Sequence, residues 1–102
     1  MQTTSEEILS TALEGGIGYW AQATSIERDA NGHYIRATLA PVHPGDFEPV
    51  TVTAHGLKAA AIRACRMYPH SAAAAAIQAD DIDADAADMI VQVQALGEVV
   101  YG

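Results

Sequence analysis

The first residues of the chain follow the spacing of an amphipathic helix. Four apolar side chains recur at intervals of three and four: Ile8, Leu9, Ala12 and Leu13. Thr4 or Ser5 can cap the start of this helix, and Thr4 has the spacing of a capping box with Glu7. Gly15 and Gly16 favour its end, because glycine readily takes the conformation in which helices stop.

An alternating pattern follows and predicts a β-hairpin with a third strand. Residues 19–28 are rich in aromatic and β-branched types, and residues 29–32 (Asp-Ala-Asn-Gly) are typical of a turn. Apolar and polar side chains alternate over residues 33–39, which predicts one buried and one wet face. After a loop punctuated by prolines, a third strand is expected over Val50–Thr53.

The second half of the chain returns to helical spacing. Residues 54–67 predict a helix that Thr53 can cap, and the alanine-rich residues 71–79 predict a short one. A last helix is expected to begin at Asp81 or Asp83 and to stop at Gly97. Val99, Val100 and Tyr101 then predict a short terminal strand.

This order of elements, α-β-β-β-α-(α)-α-β, predicts one α+β domain over residues 1–102. We expect a small antiparallel sheet, made of the β-hairpin, the third strand and the C-terminal strand, packed against three or four helices. No run approaches the ~20 apolar residues of a membrane helix. The single cysteine, Cys65, excludes an intramolecular disulfide, and the acidic N-terminus is unlike a secretion signal. A cytoplasmic location is expected.

Charge is distributed unevenly along the chain. There are 13 acidic residues against 5 basic ones, and the formal net charge is −8. Every basic residue lies within residues 28–66, whereas residues 67–102 hold only acidic ones. This balance argues against direct binding of nucleic acid, which requires a basic surface. An acidic face could instead meet the basic surface of another protein, or it could simply maintain solubility.

The densest acidic stretch resembles a calcium loop only at its start. Asp81, Asp83 and Asp85 match the opening D-x-D-x-D, but Ala86 replaces the required glycine and Gln92 replaces the bidentate carboxylate. We therefore expect no metal and no cofactor. The two remaining interpretations are a dipole-favoured helix start and an outward acidic docking surface.

Catalytic constellations are incomplete. His43 and Asp46 flank a Pro-Gly turn, and Cys65 lies within a predicted helix, but no base or oxyanion site accompanies the thiol. A small hydrolase or transferase using His43, Asp46 and Cys65 stays an alternative to a non-catalytic role. Tyr19 and Trp20, which follow a glycine-rich segment, are either interface anchors or core residues.

Basic side chains cluster in the second predicted helix. Lys58, Arg63 and Arg66 fall mostly on the side opposite its apolar residues. These cations could contact phosphates, an acidic patch of a partner, or the aspartates of the same domain or of a second subunit.

The two ends of the chain resemble a family of small phage and prophage proteins. Residues 12–20 (ALEGGIGYW) are similar to its A-L-E-G-G-x-x-Y-W start. Residues 81–92 (DIDADAADMIVQ) with residues 97–102 (GEVVYG) are similar to its closing D-x-D-A-x-x-A-D-x-I-x-Q…L-F-G-E-x-V-Y-G. The chain departs from this pattern where Leu96 meets Gly97 directly, without the intervening phenylalanine. The resemblance implies a phage, prophage or mobile-element setting in bacteria and carries over no catalytic residue.

The sequence thus favours a non-catalytic accessory protein of a phage or mobile element that binds a host or phage protein with a basic surface. A specific version is an acidic inhibitor of a host defence complex that binds nucleic acid. The predicted partner-binding residues are Asp80, Asp81, Asp83, Asp85, Asp88, Tyr19 and Trp20. A homodimeric structural module, with Tyr19 and Trp20 buried between subunits, is the remaining alternative.

Overall fold

The computed structural model describes residues 2–102, and its elements follow the predicted order as far as the last helix. Helix α1 (Ser5–Thr11) continues as a π-helical segment (Ala12–Gly16). The strands are β1 (Ala21–Arg28), β2 (Tyr34–Pro41) and β3 (Val50–Thr53). A 3₁₀ turn (Ala54–Gly56) leads into helices α2 (Leu57–Met67), α3 (Ala72–Gln78) and α4 (Ala84–Leu96). The α+β prediction is confirmed.

The sheet is a three-stranded antiparallel meander in the order β1-β2-β3. The predicted hairpin turn forms, since one Asp29 carboxylate oxygen accepts from the N–H groups of Asn31 at 2.8 Å and His33 at 3.0 Å. Gly32 takes a φ of 83°, which its lack of a Cβ permits. The inner face of the sheet contributes Leu39 and Val52 to the core.

Polar side chains start three of the helices. The side chains of Thr4, Ser71 and Asp83 accept hydrogen bonds from backbone N–H groups in the first turns of α1, α3 and α4. Gly97 ends α4 with a left-handed φ of 85°, as predicted. Thr53 makes no side-chain cap, and its backbone N–H and C=O are instead bound by the carboxamide of Gln94.

Helix α4 is the centre of the fold. Residues 86–93 are buried without interruption, because α1, the π-helical segment, α2, α3 and β3 all contact this helix. A helix whose middle turns are covered nearly all round has no wet face over those residues. Two polar side chains, Asp88 and Gln92, are therefore carried into the interior.

The prediction of a C-terminal strand is wrong, and residues 99–101 run as an irregular tail. The Gln92 carboxamide takes the place of a neighbouring strand. Its Oε1 accepts from the N–H groups of Val100 at 2.8 Å and Tyr101 at 2.9 Å, and its Nε2 donates to the carbonyl of Tyr101 at 3.1 Å. Because one side chain satisfies these backbone groups, the tail needs no sheet edge.

Among residues 2–102, no helix combines the length and the apolar character needed to cross a membrane.

Candidate functional site

Gly16 brings the N-terminal part of the chain against the start of α4. A Cβ at this position would lie 2.8 Å from the carbonyl oxygen of Ala84 and 3.5 Å from the backbone nitrogen of Asp88. Only glycine allows two backbones to approach this closely. The turn that follows then places Tyr19 and Trp20 beside Asp88.

Asp88 is a buried carboxylate held by three uncharged donors. Its Oδ2 accepts from the Tyr19 hydroxyl at 2.5 Å, and its Oδ1 accepts from Trp20 Nε1 at 2.8 Å and Gln92 Nε2 at 3.0 Å. The residue is only 8% exposed. Among residues 2–102 it has no ion-pair partner. A buried charge of this kind is stable only with such hydrogen bonds, so its donors are fixed in place.

Tyr19 forms the solvent-facing side of this arrangement and is 50% exposed. Partial burial, the hydrogen bond to Asp88 and the negative charge of Asp88 together raise the pKa of Tyr19 to about 12. The hydroxyl therefore stays protonated at neutral pH and acts as a donor. Almost no phenolate is therefore present at neutral pH to act as a nucleophile or base.

The C-terminal tail forms the second wall of the site. The Tyr101 ring stacks on Trp20, with the ring centres 5.3 Å apart and an interplanar angle of 8°. Phe47 packs edge-on against the same indole at 5.7 Å. The Tyr68 hydroxyl accepts from the N–H of Val99 at 2.9 Å and fixes where the tail begins.

Between these walls lies an open cleft of about 410 Å³. It is lined by Tyr19, Asp85, Asp88, Met89, Gln92, Val99, Tyr101 and Gly102. Two carboxylates and two aromatic rings form a surface suited to a cationic side chain, which carboxylates bind by charge and aromatic faces bind through their π electrons. The lining contains no cysteine, serine or histidine that could serve as a nucleophile or base.

The structure divides the five predicted aspartates into two groups. Three are used within the fold: Asp80 accepts from the backbone of Gln2 and Thr3, Asp83 caps α4, and Asp88 is buried. Asp81 and Asp85 are exposed, and neither side chain has a hydrogen-bond or ion-pair partner among residues 2–102. The prediction that all five form an outward face is therefore wrong for Asp88, because α4 is covered on the side that carries it.

Trp20 and Tyr19 have different positions although they are adjacent. Trp20 is 1% exposed within a single chain, so its side chain belongs to the core and the expectation of an interface anchor does not hold for it. Tyr19 remains available at the edge of the cleft. The homodimer with both rings buried between subunits therefore loses Trp20 as a contact.

The residues of the enzyme alternative are held in separate parts of the fold. Cys65 lies on α2 with its thiol near the carbonyl of Ala74 at 3.9 Å, and burial raises its pKa. His43 and Asp46 lie in the β2–β3 loop, where their backbones form a turn. Among residues 2–102, no hydrogen bond connects Cys65 with either residue, and no group of three or more His, Cys, Asp or Glu could hold a metal ion.

Sequence reasoning missed Gln92 and Tyr101 as members of the site. Gln92 counted only as a failed calcium ligand, and Tyr101 as a strand residue. A signal was present in the sequence, because Gln92 interrupts an apolar run over residues 89–93. A buried amide requires partners, which predicts a polar cluster at that level of the helix.

Models of known protein families, curated proteins and solved structures were compared with this chain, and none matches it.

Proposed function

We propose that this protein is a non-catalytic accessory protein of a phage or mobile element, which acts by binding a host or phage protein that has a basic surface. The observation that carries this proposal is the exposed carboxylate of Asp85 at a cleft built around Tyr19 and Asp88, with a second exposed carboxylate, Asp81, four residues before it in the chain. The phage setting is supported by the resemblance of the two chain ends, which supply most of the residues of the cleft.

The charge of the cleft favours arginine or lysine side chains of the partner. Asp85 and Tyr19 both line the cleft, so both side chains can contact one ligand bound there. A guanidinium between a carboxylate and an aromatic face gains from both. A basic nucleic-acid site in a host defence complex is a surface of this chemistry, and an acidic protein that covers it excludes the nucleic acid.

The side chains of the cleft are held in place by hydrogen bonds. This favours a binding role over an acidic face that only maintains solubility. Tyr19 is fixed by Asp88, Asp88 by Trp20 and Gln92, and the tail by Gln92. A surface that is already ordered loses little conformational entropy when a partner binds. Exposed aspartates on a flexible loop would lack this advantage.

Affinity capture from bacterial lysate tests the proposal, with the wild-type chain compared against two matched double variants. Asp81→Asn with Asp85→Asn removes the two free carboxylates. Glu7→Gln with Glu48→Gln removes two exposed charges outside the lining of the cleft, so both variants have a net charge of −6.

We expect the wild-type chain and the Gln control to capture the same nucleic-acid-binding protein, and added DNA to displace it. The Asn variant should capture at least about tenfold less, which corresponds to about 1.4 kcal/mol. If both variants capture the partner equally, or if neither captures it, the two aspartates contribute nothing beyond their net charge.

A further inference from the structure

The outer face of α2 carries most of the positive charge of the protein. Residues 54–79 contain no acidic residue, and Lys58, Arg63 and Arg66 are all exposed on this helix. Among residues 2–102 the ion pairs are Arg36 with Glu27 and His33 with Asp29, so none of these three cations is paired within the domain. The expectation that the domain's own aspartates neutralise them is not met.

Large apolar side chains are interleaved with these cations. Ile62 is 54% exposed and Met67 is 42% exposed, whereas Leu57, Ala60, Ala61 and Ala64 form the buried side of the helix. Ile62 follows Lys58 by four residues and precedes Arg66 by four, so the three side chains form one row along the helix. Mixed apolar and arginine surfaces are typical of protein interfaces.

The chemistry of this face favours an acidic protein surface over nucleic acid. Three cations can neutralise few phosphates, and a net charge of −8 repels a polyanion at long range. Contact with a phosphate backbone would not stabilise Ile62 and Met67 by burial of apolar surface. Contact with an acidic surface that includes apolar atoms would.

We propose that the outer face of α2 docks on the acidic surface of a second copy of this chain, the surface that carries Asp81 and Asp85. The two surfaces are complementary in charge: one copy offers unpaired guanidinium groups, and the other offers the unpaired carboxylate of Asp85 in a cleft that Met89 and Val99 also line, with Asp81 four residues away in the chain. Two different surfaces meet in this contact, so it either forms twice in a reciprocal dimer or extends into oligomers and rings.

Self-association of this kind regulates binding of the basic partner. This consequence rests on the proposed function. The carboxylates that a second copy covers are the ones proposed to bind the basic partner. Free partner and a second copy therefore compete for one surface, and the binding-competent fraction falls as the protein concentration rises. The self-association itself is measured without any partner, so its failure and the failure of the proposed function are distinguishable.

Sedimentation velocity of the full chain over a concentration series tests the proposal. We expect the weight-average sedimentation coefficient of the wild-type chain to rise with concentration. Arg63→Gln with Arg66→Gln should abolish the rise, and so should Asp81→Asn with Asp85→Asn. The control is Arg28→Gln with Arg36→Gln, which gives the same net charge of −10 as the α2 variant but alters the hairpin, and it should associate as the wild type does.

Mixing the two defective variants provides the decisive comparison. The α2 variant retains the acidic surface and the Asn variant retains the basic one, so an equimolar mixture should form one-to-one complexes that do not grow further. A wild-type chain that stays monomeric at every concentration overturns the proposal. The proposal also fails if the hairpin control loses association equally, or if the mixture does not restore it.

Discussion

The Tyr19 hydroxyl donates to the Asp88 carboxylate at 2.5 Å, although the two residues are 69 positions apart in the chain. This contact joins the segment after the π-helical turn to the buried centre of α4. Short hydrogen bonds from neutral oxygen donors to carboxylates are among the stronger ones in proteins. The contact therefore both stabilises the fold and shapes the edge of the cleft.

Replacement of Asp88 by Asn tests whether this carboxylate is structural. The amide has one acceptor oxygen for three donors, so at least one buried donor loses its partner. We expect the free energy of unfolding to fall by about 2–3 kcal/mol, measured by urea denaturation. Asp85→Asn, on the same helix but exposed, should change it by less than about 0.5 kcal/mol. Equal stability of the two variants would mean that the Asp88 carboxylate does not hold the cluster together.

The raised pKa of Tyr19 predicts a loss of stability in alkaline solution. Its folded-state pKa of about 12 exceeds the ordinary value of 10.0, so the folded chain retains a proton that the unfolded chain releases. The contribution is complete below the unfolded pKa and is lost as pH rises through the folded one. Partial burial and the nearby Asp46 carboxylate also raise the pKa of Tyr101, which adds a change of the same sign.

Denaturation curves between about pH 9 and pH 12 measure this effect, and Tyr19→Phe should flatten the dependence. NMR titration of the tyrosine ring carbons assigns the shift to a residue. Titration of Tyr19 at its ordinary pKa would refute its hydrogen bond to Asp88.

The close contact at Gly16 predicts that alanine is tolerated less well there than at the neighbouring Gly15. In Gly16→Ala the new methyl would meet the Ala84 carbonyl oxygen at 2.8 Å, a contact with backbone that cannot easily relax. We expect a loss of about 1–3 kcal/mol in the free energy of unfolding. Gly15→Ala is the matched control, because nothing lies within 4 Å of a Cβ there, and it should be neutral or stabilising by up to about 1 kcal/mol. A larger loss of stability in Gly15→Ala than in Gly16→Ala would contradict the close approach of the two helical segments.

Gln92 predicts that the tail is held by a neutral amide. Gln92→Glu removes the donor to Asp88 and Tyr101 and places a second negative charge against Asp88. We expect a loss of about 3 kcal/mol at neutral pH, recovered in part as the new carboxyl protonates on acidification. Glutamate keeps an Oε1 that can accept from the N–H groups of Val100 and Tyr101, but repulsion from Asp88 should displace it, so hydrogen exchange at these groups should accelerate.

Gln78→Glu serves as the control for that substitution, since Gln78 is exposed at the end of α3. It adds the same charge without touching the tail. Unchanged exchange in Gln92→Glu would mean that the N–H groups of the Gln92 side chain are not needed to hold residues 99–101.

Local signals in the sequence predict most of the fold. The capping side chain of Thr4, the Asn-Gly turn and the terminating Gly97 each act within a few residues, so their patterns can be interpreted without tertiary contacts. The prediction of a C-terminal strand fails because the structure of that segment depends on a tertiary contact. Its backbone partner is the side chain of Gln92, and no local pattern indicates such a partner.

In the candidate site, too, some features follow from local sequence patterns and others depend on tertiary structure. Asp81 and Asp85 are exposed as the charge pattern predicts. Asp88 looks identical to them in sequence, but the elements that cover α4 decide its burial, and that depends on the whole topology. Tyr19 comes from one end of the chain and Asp88 and Gln92 from the other, so only the tertiary structure brings them into one cluster.

NMR titration of the isotope-labelled chain with an oligoarginine peptide tests the central claim most directly, because it locates a basic ligand on the surface residue by residue. We predict saturable shifts at Tyr19, Asp85 and Met89, which Asp81→Asn with Asp85→Asn weakens and Glu7→Gln with Glu48→Gln leaves in place. Shifts spread over all exposed carboxylates, and reduced equally by both variants, would contradict a specific basic-ligand site at this cleft.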